Sequence, residues 1–210
     1  MTTAGGELYV TSFQGQQIYT VAADGTPDLL AGTGRFGEVD GPAAEARFSW
    51  PNGLASGPPG DRLYTNDYLN RQRPGVAQRP VPLSSLRMIK LPSVAERMVA
   101  ALGTGGLAAM EAAYREFKED PSNGSTNTEF LLNGLGYQLM NGDNLTAAIR
   151  VFELNVGSYP SSANVYDSLA EGYMNAGRND EAIEFYEKSL AINPGNTNAT
   201  DMIARIRSGD

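Results

Sequence analysis

The chain contains neither cysteine nor histidine, and these two absences remove much of the chemistry by which sites are usually recognised. Without cysteine there are no disulfides, thiol nucleophiles or thiolate metal sites. Without histidine there is no Ser-His-Asp triad, no histidine zinc site and no imidazole acid or base near neutral pH. A catalytic acid or base would have to be Asp, Glu, Lys or Tyr, and a metal would be a hard cation held by oxygen, such as calcium or magnesium. Basic runs are also missing: 16 Lys and Arg stand against 24 Asp and Glu, for a net charge of −8. A chain so balanced offers no surface for nucleic acid or an anionic membrane. No apolar stretch approaches the roughly 20 residues that span a bilayer. The opening MTTAGGELYV lacks the basic and apolar regions of a secretory signal. As it stands the chain reads as cytoplasmic, and as extracytoplasmic if it is a piece of a longer secreted protein.

What the sequence does contain is an echo of itself. Leu135, Ala148, Ile149, Phe152 and Pro160 return 34 residues later as Leu169, Ala182, Ile183, Tyr186 and Pro194, and Gly136 returns as Ala170. A small residue thus recurs where two helices would touch closely. This period, with small, aromatic and closing proline positions, marks the tetratricopeptide repeat, a helix–turn–helix unit. One such unit cannot bury its apolar face alone, so units stack and leave a concave surface suited to another chain. The sequence predicts repeats over 129–162 and 163–196, with a solvating helix after them. Ala199, Met202, Ile203 and Ile206 would form the apolar side of that last helix. Thr126 and Glu129 read as a capping box, Gly142 and Gly177 as helix ends, and Ser162 and Asn179 as caps. Upstream, Ser93 and Glu96 form a further capping box after Pro92, and Gly103, Gly105 and Gly106 divide a helical pair. Residues 92–125 are expected to cap the array.

The N-terminal 91 residues have a different period. LYVTSF (8–13), QQIYTVA (16–22), PDLLAG (27–32), PNGLAS (51–56), RLYTNDY (62–68) and LRMIKL (86–91) alternate with a period near 2, which predicts strands. Asp24-Gly25 reads as a type I′ hairpin turn. A glycine-rich loop covers 32–49, and a polar insertion covers 70–85 with Arg71 and Arg73 in it. The fold class is therefore α+β with two domains, all-β over 1–91 and all-α over 126–210.

The β segment resembles the NHL repeat of β-propellers and the wider gluconolactonase-like group. The resemblance covers about residues 7–91 and rests on AGTG, DGPAAEARF and WPNGLA, followed by GDRLYTNDYLNR. It implies about one and a half blades: three strands without a first, then three without a fourth. A closed propeller needs roughly 4–8 blades. The expectation is thus a C-terminal portion of a longer propeller protein, or self-association through open β edges. The helical segment, above all NVGSYPSSANVYDSLAE, is similar to repeat modules appended to bacterial secreted serine hydrolases and propeller proteins. That likeness implies a bacterial origin and an accessory role, without the hydrolase activity.

Candidate sites follow from these likenesses. In tetratricopeptide arrays the first helix of each unit lines the groove. The corresponding residues are Phe130, Asn133, Tyr137, Met140 and Asn141 in one unit, and Asn164, Asp167, Glu171, Met174 and Asn175 in the next. Asn can bond an extended backbone as donor and acceptor, and Met and Tyr supply adaptable apolar contact. No Lys or Arg falls among these positions, so a neutral or basic partner segment fits better than an acidic tail. In the β segment the gluconolactonase-like likeness places Asn52 and Asp67 toward a channel, where their oxygens would suit calcium. Asp40 reads as a turn residue, and Phe48 and Trp50 as packing between blades. The sequence favours a non-enzymatic protein- or peptide-binding scaffold. The alternative is a fragment of a divalent-metal-dependent, lactonase-like hydrolase.

Overall fold

The computed structural model describes residues 1–4, 7–57, 61–69, 83–123 and 126–209. They form two compact units, one of residues 1–100 with 110–126, the other of 101–109 with 127–210.

The first unit is built on two antiparallel meanders. Strands β1 (Thr2–Ala4), β2 (Glu7–Ser12), β3 (Gln17–Val21) and β4 (Pro27–Ala31) lie in the order of the chain in one sheet. Strands β5 (Pro51–Gly57), β6 (Arg62–Leu69) and β7 (Leu83–Lys90) do so in the other. Five of the six expected strands agree within about two residues, and the sixth, 86–91, starts three residues earlier as β7. The seventh strand was not expected. Thr2, Thr3 and Ala4 pair with Tyr9, Leu8 and Glu7, so the first sheet has four strands rather than three. Two β-branched threonines suffice where a neighbouring edge offers free backbone donors and acceptors.

The β3–β4 hairpin also departs from expectation. Gly25 has φ 87°, but Asp24 is not in the left-handed region, and a type I′ turn needs both there. Asp24 acts through its side chain instead, its carboxylate accepting the Thr26 amide at 2.9 Å. Of the polar insertion, 70–82 with Arg71 and Arg73 lies outside the described residues. The glycine-rich loop is anchored by backbone bonds from Gly32, Thr33 and Gly37 to Ala43, Ala46 and Phe48. Gly32 sits at φ +106°, and a Cβ there would lie 2.6 Å from the Gln16 carbonyl oxygen, so only glycine fits. The apolar interior joins Tyr9, Leu63 and Leu91 in one cluster and Ile18, Ala31, Ala46 and Phe48 in another.

Helix α1 (Val94–Glu119) starts at the expected capping box: the Ser93 hydroxyl accepts the Glu96 amide, and the Glu96 carboxylate accepts the Ser93 amide. It breaks at Gly106 (φ 70°, ψ −161°), where the glycine run predicted a division. Its buried residues are Val94 and Met98 before the break and Met110, Tyr114 and Phe117 after it.

The helices of the second unit repeat with the spacing read from the sequence. Helices α2 (Glu129–Asn141) and α3 (Leu145–Ser158) recur 34 residues on as α4 (Ala163–Asn175) and α5 (Asn179–Ile192). The last helix, α6 (Thr197–Ser208), begins one further period after α4. Their shared core holds Phe152, Leu169, Ala170, Tyr186 and Ile203, with Tyr137, Met140 and Met174 half-buried against it. The caps are less regular than the helices. The Thr126–Glu129 box does not form: Thr128 is the N-cap residue, and Glu129 accepts the Ser162 hydroxyl at 2.6 Å. Asn144 caps α3 by accepting the Ala147 amide. Ser162 precedes α4 without a side-chain cap bond, and Asn179 lies inside α5, whose N-cap is Arg178. Gly177 has φ +70°, but its counterpart one period earlier is Asp143 (φ 60°), not Gly142. Asp tolerates the left-handed region better than most residues. Among the described residues no helix is long and apolar enough to cross a membrane.

Two neighbouring glycines in α2 test this packing. A Cβ on Gly136 would lie 2.3 Å from the Phe152 ring, whereas one on Gly134 would meet nothing within 4 Å. Gly136→Ala is expected to cost about 1–3 kcal/mol by forcing that ring aside. Gly134→Ala should instead stabilise by roughly 0.5–1 kcal/mol through helix propensity. Denaturant melts of the two variants check the opposite signs.

Candidate functional site

The groove-facing residues predicted from the repeat fall on matching turns of α2 and α4. Tyr137 joins the two helices: its hydroxyl donates to the Glu171 carboxylate at 2.7 Å and lies 3.3 Å from the Ser168 hydroxyl. Its ring meets Phe152 edge-on at 5.3 Å. Asn133 and Asp167 are equivalent positions one turn earlier on each helix. They are used differently. Asp167 accepts from the side-chain amides of Asn196 (2.7 Å) and Asn198 (3.1 Å), which tie it to the start of α6. The Asn133 side-chain oxygen is buried with no partner among the described residues. Met140 and Met174 are half-buried, while Asn141, Asn164 and Asn175 are exposed. Phe130 is 80% exposed, a large aromatic left to solvent at the opening turn of α2.

Burial and a neighbouring carboxylate both raise a phenol's pKa. Burial foremost pushes the Tyr137 pKa up to about 12, with the Glu171 carboxylate that accepts its hydrogen bond adding to it and the bond to Ser168 opposing it. Tyr173 is likewise raised to about 12, by burial and then by its bond to Glu153. Burial foremost also raises Tyr186, with Asp167, Glu171 and Tyr137 adding to it. Tyr186 is a residue that groove positions on the first helices alone cannot reveal. It stands on α5 with no exposed surface, and its hydroxyl is unbonded among the described residues. The signal lay in the repeat itself, where Phe152 becomes Tyr186 and a hydroxyl appears on a core ring.

In the β unit, Asn52 and Asp67 do not share a role. Asn52 is exposed at the bulge of β5, between Pro51 and Gly53, where the β5–β6 register shifts. Asp67 is fully buried and accepts the Ser49 amide at 2.7 Å and the Arg87 guanidinium at 3.2 Å. Burial pushes its carboxyl up, against these two bonds. Arg87 also pairs with Asp40 at 2.6 Å, bonds the carbonyls of Arg47 and Val39, and lies over the Phe48 ring. Asp40 is thus an ion-pair partner rather than only a turn residue. Phe48 is buried, whereas Trp50 holds φ 63°, stacks on Phe13 and meets Phe36 edge-on, both of them exposed. A cavity of about 440 Å³ is lined by Ala31, Asp40, Phe48, Arg87, Ile89 and their neighbours. Among the described residues no three acidic side chains gather to hold a metal ion.

The repeat's identity is decided by its own residues. The sequence of 163–196 matches the tetratricopeptide repeat family. Residues 163–196 are a tetratricopeptide repeat. This stretch comprises α4, its turn and α5. No curated protein matches the chain. Two solved structures are similar to part of it. The first tetratricopeptide domain of Spaghetti (RPAP3), bound to the HSP90 peptide SRMEEVD, is 17% identical, with a TM-score of 0.39 over 55% of this chain and 89% of that one. A mutant of MamA is 19% identical, with a TM-score of 0.37 over 55% of this chain and 62% of that one.

Two measurements check these sites. The neutral phenols of Tyr137 and Tyr173 contribute stability that is complete below the ordinary tyrosine pKa of about 10. It is lost as pH rises through about 12, so the denaturant midpoint should fall across that window and fall less in Tyr137→Phe. In the β unit, Arg87→Leu leaves Asp67 buried and uncompensated and is expected to cost about 3–5 kcal/mol. The fluorescence of Trp50, the only tryptophan, reports that loss.

Proposed function

We propose that this protein is a non-enzymatic binding scaffold whose helical array holds an extended protein or peptide segment, neutral or basic in character, along α2 and α4. The observation that carries this reading is the side-by-side placement of two equivalent helices, bridged by Tyr137 and Glu171. Their common face combines exposed amides at Asn141, Asn164 and Asn175 with the exposed Phe130 ring. Such a face offers backbone-type bonding and one aromatic anchor without lysine or arginine, the composition of a groove for an uncharged or cationic strand.

The β unit is read in the same proposal as a segment of an NHL-type propeller over about residues 7–91, with the array proper from 126. Its support is a chain-order antiparallel meander in each sheet. Leu8-Tyr9 and Leu63-Tyr64, 55 residues apart, stand on β2 and β6, and Tyr9 packs on Leu63. Self-association through an open edge falls on β7, the outer strand of its sheet, where Leu86 and Met88 are exposed. The calcium-site reading is weakened by the commitment of Asp67 to Ser49 and Arg87.

The test is a panel of labelled peptides of neutral and basic composition, titrated by fluorescence anisotropy. Binding is expected, and Asn133→Ala or Asn164→Ala should weaken it roughly fivefold to tenfold, as for one or two lost hydrogen bonds. Absence of binding, or binding indifferent to both changes in folded protein, would contradict the proposal.

A further inference from the structure

We infer that the groove between α2 and α4 is built to seat one cationic side chain of the bound segment, lysine or arginine, against Glu171 and Asp167. The inference rests on the groove reading above and adds the chemistry of its central contact.

Asp167 and Glu171 lie one turn apart on α4, so their carboxylates share a face. Both are held by neutral donors: Asp167 by the amides of Asn196 and Asn198, Glu171 by the Tyr137 hydroxyl on one oxygen. Neither forms an ion pair among the described residues. Glu153, Glu181, Glu184 and Glu187 elsewhere in the array do, pairing with Arg150, Arg178, Lys188 and Arg207. What sets Asp167 and Glu171 apart is that they stand one turn apart on one face, half-buried, with only neutral donors.

A second observation points to the same place. Tyr186 is completely buried, and its hydroxyl is unbonded among the described residues. It lies close enough to Asp167, Glu171 and Tyr137 for their charges to raise its pKa, after burial as the main cause. The Asn133 side-chain oxygen, one turn before Tyr137, is a further buried acceptor without a donor. Among the described residues the site thus collects two carboxylates without a cation, a buried acceptor without a donor and a buried phenol without a partner. An ammonium or guanidinium group supplies several donors and a positive charge together, and bonds between charged partners are the stronger ones.

The test uses the whole chain and three labelled peptides of about eleven residues, alternating Ser and Ala, with a central lysine, arginine or norleucine. Norleucine keeps the apolar stem without the charge. At about 50 mM salt the lysine or arginine peptide should bind at least roughly tenfold more tightly than the norleucine peptide. Raising the salt to about 0.5 M should shrink the gap, and the better of the two cationic peptides identifies the group. Glu171→Gln should abolish the preference, and Tyr186→Phe should reduce it while keeping the ring in the core. Circular dichroism shows that each variant is folded, and Tyr186→Phe stands alone if Glu171→Gln is not. Equal binding of norleucine and lysine peptides would overturn the cation inference and leave the groove standing. A preference that survives both substitutions would also overturn it. If no peptide binds, both the inference and the groove reading fall.

Discussion

The helical unit depends on one hydrogen bond made twice. Asn155 on α3 donates to the Glu129 carbonyl at the head of α2, and Ser189 on α5 donates to the Ala163 carbonyl at the head of α4. Donor and acceptor both move by one period, and each donor side chain is fully buried. The first carbonyls of a helix already accept amides four residues on, so these bonds use the carbonyl's second lone pair and act to position the helix. Here the following helix fixes where its predecessor begins, and that in turn fixes which residues of α2 and α4 share a turn. The aromatic positions use the same register. Phe152 fills the space left by Gly136, and Tyr186 replaces it one unit later opposite Ala170.

The β unit is organised by a different device. Arg87 on β7 gathers Asp67, Asp40, two loop carbonyls and the Phe48 ring around one guanidinium. Its five donors in a rigid fork suit such convergence better than a lysine would. A buried ion pair adds little net stability compared with apolar packing, but breaking it is costly. Its consequence here is positional: this side chain, with the Ser49–Asp67 and Gln17–Gly32 bonds, holds the loop of residues 32–49 against strands.

Much of this was legible in the sequence, and unevenly. The helices were readable because the 34-residue echo fixes large and small core positions together, from Leu135 and Leu169 to Phe152 and Tyr186. The strands were readable from alternation and turn residues, save Thr2–Ala4, too short to show a period. Helix caps were poorly readable. Glu129 could bond locally or reach Ser162, and tertiary contact won; Asp143 took a left-handed conformation that composition assigned to Gly142. The partner of Asp67 was not legible, because a carboxylate suited to a metal cation is equally suited to the Arg87 guanidinium. No local rule linked positions 67 and 87 before the strands paired. Tyr186 was recognised as a core aromatic, while its lone hydroxyl among acidic neighbours emerges only once α4 and α5 are packed.

The account's central claim is that α2 and α4 stand side by side in register, and a double-mutant cycle on the bond that spans them tests it most directly. Tyr137→Phe, Glu171→Met and the double variant each remove the bond with little change in size. The account predicts a coupling of about 0.5–3 kcal/mol in unfolding free energy, as for residues in contact. Additive effects, with no coupling beyond experimental error, would mean that the two helices do not meet there.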